Sequence, residues 1–125
     1  MEFIIFLSKL DKEILELITK ANYIVVENKK ECLLNRGIAG LHNFKTKKAI
    51  RKALRHEATH IIQKCNNNQT IEDINKLEKK LHQSKRKALQ FSTSLFSGNY
   101  AKEIEAYILE DKPKKVRNGL EKYCL

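Results

Sequence analysis

Long apolar runs are missing from this chain. No stretch approaches the roughly 18–20 consecutive apolar residues a helix needs to cross a hydrocarbon core, so a membrane-spanning reading is set aside. The opening Met1–Leu7 is apolar, but Glu2 makes its start acidic, no basic leader precedes it, and it runs straight into Lys9, Asp11 and Lys12. That is unlike a signal peptide, and a cytoplasmic location is expected. Cysteine is scarce and odd in number: Cys32, Cys65 and Cys124, with no Cys-x-x-Cys pair. This fits reduced thiols better than a disulfide framework, with a Cys65–Cys124 bridge left open for an exported protein. Aromatic residues make up 7% of the chain and do not alternate with its basic clusters, which gives no stacking platform for single-stranded nucleic acid. Internal repeats and low-complexity segments are also absent. With one proline and four glycines, chain breakers fall at few places.

Positive charge and helical patterning are what the chain does have. Its 125 residues, 42% hydrophobic, suit a single domain over 1–125 with a modest core and no room for a second lobe. A substrate would therefore meet a shallow surface or a partner. Lys and Arg number 25 against 15 Asp and Glu, a net charge of +10. The excess gathers at Lys45–Lys48, Arg51–Lys52, Lys79–Lys80, Lys85–Lys87 and Lys112–Arg117. Such charge attracts acidic partners without distinguishing nucleic acid, anionic membranes or acidic peptides, and it is as readily an ordinary solvated surface. Nucleic-acid binding is a possible but not a favoured role.

Leu10, Ile14, Leu15, Leu17 and Ile18 recur at helical spacing and predict an amphipathic first helix. Tyr23–Val26 is short and β-branched and reads as a strand. From Cys32 to Phe44, Gly37, Gly40 and Asn43 interrupt apolar residues, as in an irregular or hairpin segment. Ala49–Gln63 has neither Gly nor Pro and predicts a helix. Asn66–Gln69 ends it, Thr70 with Asp73 opens the next, and apolar spacing carries that one to about Ser97 before Gly98–Asn99. A helix over Tyr100–Glu110 follows, and then a final one after Asp111 and Pro113. The expected class is α+β, mostly helical, with a short N-terminal strand region packed on a helical core.

One motif stands out: His56-Glu57-Ala58-Thr59-His60. At i and i+4 on a helix the two imidazoles share a face, close enough to converge on one zinc ion. Glu57 sits beside that ion without ligating it, placed to take a proton from a water whose pKa the metal lowers from about 15.7 to about 7. The segment Ala53–Ile62 resembles the extended motif of zincin metallopeptidases, uncharged around each His except at Arg55. The run from His56 to Cys65, His-Glu-Ala-x-His-x-x-Gln-x-Cys, is similar to that of small, largely uncharacterised proteins of metallopeptidase type.

A catalytic zinc needs a third protein ligand and an open position. In gluzincins this ligand often lies in Glu-x-x-Ala on a later helix, and Glu103-Ile104-Glu105-Ala106 is similar. By that resemblance Glu103 is the favoured ligand, with Glu105 the alternative. A small residue one turn on also lets two helices approach closely. The commoner gluzincin pattern has an Asp one turn after the ligand, where this chain has Tyr107, so Glu105, Glu110 or a backbone carbonyl is needed to orient the imidazoles. Zincins also place a strand edge before the motif helix for an extended substrate, which makes Ala39, Gly40 and Leu41, continuing to His42, the expected substrate-binding strand. Tyr100, Tyr107, His82 and His42 are each able to bond an oxyanion, and the residues do not choose among them. The resemblance implies a zinc (Zn2+) metallopeptidase acting on a peptide or protein substrate. Two alternatives are a closed structural zinc site in which Cys65 or Cys124 joins the histidines, and a metal-free basic helical protein that binds nucleic acid.

Overall fold

The computed structural model describes residues 7–27, 34–35, 38–41, 47–84, 86–87, 89 and 100–125. Helix α1 spans Lys9–Lys20. Ser8 caps it by accepting from the Asp11 N–H at 3.2 Å, and Asn22, at φ 67°, ends it in the left-handed region that Asn tolerates. Helix α2 spans Lys47–Cys65. It stops because Asn67 and Asn68 both adopt left-handed backbone (φ 57° and 62°), reversing the chain after the motif helix. Helix α3 covers Ile74–Lys79, with Asp73 as its N-cap. Helix α4 covers Tyr100–Leu109 and helix α5 covers Pro113–Cys124.

The fold is helical, which corrects the α+β expectation with its packed N-terminal strand region. Every buried side chain of the described core except Leu7 and Leu81 lies in a helix. Three short paired segments accompany the helices: β1 (Ile24–Glu27), β2 (Leu34–Asn35) and β3 (Ile38–Leu41), in the order β1-β3-β2. Each is two to four residues long, with β1 lying against α1 and β3 against α2. The expected irregular segment around Cys32 and His42 falls largely outside the described residues.

Ile14, Ile18, Leu54, Ile61, Ile62, Leu109, Val116 and Leu120 form the main core between α1, α2 and α5. Leu77, Leu81, Leu89 and Ile104 form a second cluster. Helix α4 joins the two, since Ile104 belongs to one and Leu109 to the other. The single long helix expected from Ile71 to about Ser97 is instead interrupted at Leu81–His82, where the His82 ring Nδ1 accepts from the Ser84 N–H at 3.3 Å and so starts a new helical stretch. Asp111 does not cap α5. Lys112 holds the N-cap position without a side-chain bond, and Asp111 pairs with Lys52 at 3.4 Å.

Cys65 and Cys124, expected as reduced thiols, form a disulfide with Cα atoms 5.2 Å apart. The reason is how α5 packs: Gly119 approaches α2 so closely that an added Cβ would lie 2.9 Å from Ile62 Cδ1. That approach sets the two helix ends side by side. No helix among the described residues is long and apolar enough to cross a membrane.

Candidate metal centre

Helix α2 sets His56 and His60 on one face, and α4 brings Glu103 across to them. Glu103 Oε2 lies 3.3 Å from His56 Nε2, and its Oε1 lies 2.9 Å from His60 Nε2. The two Nε2 atoms are 3.2 Å apart. These are the residues expected as ligands, and one donor atom from each falls within 4.8 Å of the others. The histidine side chains are about one-sixth exposed and Glu103 about one-third (16%, 15% and 31%), so the cluster opens to solvent on the carboxylate side.

The far side of each ring is held. His56 Nδ1 lies 2.9 Å from Glu110 Oε1, and His60 Nδ1 lies 2.8 Å from Gln63 Oε1. The Gln63 amide nitrogen donates to the Lys102 carbonyl and to Glu105 Oε1, at 3.0 and 3.1 Å, which turns its oxygen toward His60. A carboxylate and an amide oxygen only accept, so both Nδ1 atoms carry hydrogens, and in the neutral rings both Nε2 atoms present lone pairs at Glu103. Three acceptors facing one point repel unless protons or a cation lie between them. In the metal-free protein protons do this. Burial alone would depress the His56 imidazole, but hydrogen bonds and charge attraction from Glu103 and Glu110 push it up from 6.5 to about 9. Burial would likewise raise Glu103, yet His56 and His60 hold its carboxyl far below the usual range.

Arg55, the one charged residue in the motif's surroundings, supports Glu110. Its guanidinium donates to both oxygens of the fully buried Asp11 at 2.8 and 3.0 Å, and to the Glu110 carbonyl at 2.9 Å. Reading the sequence assigned neither Arg55 nor Gln63 a role, nor linked Asp11 to the motif. The available signal was Arg55 itself, a charge tolerated within an otherwise uncharged stretch.

The alternative ligand Glu105 is turned away from the cluster. It is fully buried, and its carboxylate accepts from the Ile71 and Glu72 N–H groups at 2.9–3.1 Å and from Gln63. Glu57, the expected base, is buried on the motif helix and is not among the three converging groups. Tyr107 sets its ring edge-on against His56, with centroids 4.9 Å apart. Burial first, then the charges of Glu110 and Glu103, push its phenol up and keep the proton on it. Of the other expected helpers, Tyr100 packs on the second cluster, His82 bonds Ser84, and His42 lies outside the described residues. Ala39, Gly40 and Leu41 lie in β3, which is the middle strand of the sheet and not an edge. Ala39 is partnered by Val25 on one side and Leu34 on the other, while Gly40 and Leu41 pair with Val26 and Glu27.

Zinc fits the donor set. Tetrahedral bonds of about 2.0–2.1 Å put neighbouring donor atoms roughly 3.3 Å apart. The two Nε2 atoms are 3.2 Å apart, and Glu103 sets one oxygen 3.3 Å from His56 and the other 2.9 Å from His60, so a small turn of the carboxylate brings one oxygen to both. Two imidazoles with supported N–H groups and one carboxylate also make the donor chemistry of a zinc site with an open position. The sulfurs of Cys65 and Cys124 are joined to each other. No curated protein and no solved structure matches the chain. Over residues 3–48 and 41–125 it matches the family described as a domain of unknown function (DUF8637), and it belongs to that family.

Proposed function

We propose that the protein is a zinc-dependent metallopeptidase in which His56, His60 and Glu103 hold the metal and Glu57 is the general base. One observation carries the reading: donor atoms of two histidines and a glutamate from two helices converge within 4.8 Å of one another, and both histidines are oriented from behind by Glu110 and Gln63. Zinc, when bound, would supply Lewis acidity, polarising a peptide carbonyl and lowering the pKa of a water to about 7. Glu57 takes the proton of the attacking water and returns it to the leaving amine. Glu110 and Gln63 keep the Nε2 lone pairs aimed, and Glu103 adds the negative charge that favours a divalent cation over two neutral rings alone. Tyr107, protonated and in contact with His56, has an O–H available to an oxygen that gains charge.

The test is metal analysis of protein purified without chelators, followed by hydrolysis of a peptide library. The expected result is about one zinc per chain, lost in His56→Ala and Glu103→Ala. Glu57→Gln should keep its zinc and lose roughly 10²–10⁴-fold in hydrolysis. Protein without stoichiometric zinc sinks the proposal.

A further inference from the structure

Beside the metal centre runs an open groove of about 370 Å³, between the Leu81–His82 bend and the turn that follows α4. Tyr107 belongs to both places, lining the groove while its ring edge meets His56. At the lower end of ligand-pocket sizes, roughly 300–1,000 Å³, the groove takes a residue or two of a peptide and not a whole folded partner. Its apolar surface comes from Leu81 and Ile108.

The polar groups of the rim are one-sided. The single acid, Asp111, is already paired with Lys52, and Lys80 is paired with Glu72 at 3.3 Å. Lys112 has no ion pair among the described residues. The His82 ring uses Nδ1 to accept from the Ser84 N–H, which leaves Nε2 to carry its hydrogen. With the Tyr107 hydroxyl, the groove offers an ammonium, an imidazole N–H and a phenol O–H. An excess of donors over the one acid, which Lys52 already engages, around an apolar surface calls for a ligand that brings negative oxygen and a hydrocarbon side chain.

We propose that this groove is the substrate cleft of the metal centre and that it selects peptides carrying a carboxylate, as Asp, Glu or a chain terminus, next to an apolar side chain. The apolar contact favours a peptide over a phosphodiester chain. The proposal rests on the peptidase reading for its substrate class, and its test is binding, which does not require turnover.

The probe is a pair of fluorescein-labelled pentapeptides, one with Leu-Glu at its centre and one with Leu-Gln, titrated against zinc-loaded Glu57→Gln protein by fluorescence polarisation. The acidic peptide should bind about tenfold tighter, as expected for one charge-assisted contact. Lys112→Glu should abolish that preference, and the milder Lys112→Ala should reduce it, with zinc content unchanged in both. Lys122→Glu, the same charge change in the last turn of α5, should leave the preference intact. Equal affinity for the two peptides overturns the inference. So does an equal loss in Lys112→Glu and Lys122→Glu, which would show attraction to net charge alone. Competition by a single-stranded oligonucleotide that is lost in Lys112→Glu, without discrimination between the peptides, overturns it as well. A wild-type protein that takes up no zinc sinks the peptidase reading, while peptide discrimination by the groove would still be measurable on that metal-free protein.

Discussion

At the scale of single residues, Glu103 and Glu105 are two positions apart and have unrelated environments. Glu103 faces the histidines, whereas Glu105 is buried among backbone donors. Glu103→Ala should abolish high-affinity zinc binding, measured by calorimetric titration, with little change in metal-free stability beyond the lost histidine contacts. Glu105→Ala should instead destabilise the fold by about 3 kcal/mol in urea denaturation, because it strands buried N–H donors. Protonation at His56 gives a second prediction. A folded-state pKa of about 9, above the ordinary 6.5, means the folded metal-free protein binds the proton more tightly than the unfolded chain. That contribution is fully present below about pH 6.5 and is lost as pH rises through about 9. Glu103 acts in the opposite sense, with a contribution present above its ordinary 4.5 and lost as pH falls. Denaturation of the metal-free protein should show these two contributions greatest between about pH 4.5 and 6.5, with stability falling as pH rises toward about 9 and again as pH drops below about 4.5. Zinc binding near pH 7.5 should release about one proton, read from titrations in buffers of different ionisation enthalpy.

The two histidines were legible because an i, i+4 pair on a breaker-free helix has one possible geometry. Glu103 was legible through resemblance and through the small Ala106 one turn on, where Glu105 has Ile108 and Leu109. What the sequence did not show is why Glu105 is unavailable, which depends on where the Ile71–Glu72 backbone falls. That backbone is placed by the left-handed Asn67 and Asn68 and carries no side-chain pattern of its own. Gln63 and Arg55 were illegible as supports because their partners, Lys102, Glu105, Asp11 and the Glu110 carbonyl, are brought to them only by the fold.

At the scale of elements, α2 carries the motif and every other helix positions it. The Asp11–Arg55–Glu110–His56 chain ties α1 to the turn after α4. Asp11→Asn should keep the fold yet weaken zinc binding by about tenfold, as losses of outer support usually do, with the His56 ring resonances shifted in the metal-free NMR spectrum. The α2–α5 contact is tight at Gly119. An added methyl there meets Ile62, which has no exposed surface to move into, so Gly119→Ala should cost about 1–3 kcal/mol in thermal unfolding. The helix spans were readable from apolar spacing in α1, α2, α4 and α5. The break at Leu81–His82 was not, because the apolar period continues through it and only the His82–Ser84 bond marks the restart. Tyr23–Val26 suggested a packed strand by its β-branching, but local propensity does not say what a short segment packs against. Here the helices supply the described core.

At the scale of the whole molecule, the disulfide closes a sequence separation of 59 residues that runs from the last residue of α2, the motif helix, through α4, which carries Glu103, to the end of α5. Loop-closure entropy for that span amounts to about 4 kcal/mol, so dithiothreitol should lower the melting temperature measurably, as should Cys124→Ser without reductant. Bridges of this kind persist in oxidising compartments, which weighs against a cytoplasmic setting. An odd cysteine count favoured reduced thiols and left the Cys65–Cys124 bridge as an alternative, because spacing alone does not say that these two helix ends meet.

The hold of Glu105 on the Ile71–Glu72 backbone has a consequence for a nicked chain. A protease cut between Asn67 and Asn68 would leave both fragments joined through the sulfur bridge, yet it would release the strap that shares its anchor with Gln63. Gln63, which braces His60, would then keep its hold on the Lys102 carbonyl but lean on a Glu105 freed of its backbone partners, so a cleaved but still assembled protein should bind added zinc less tightly than the intact one.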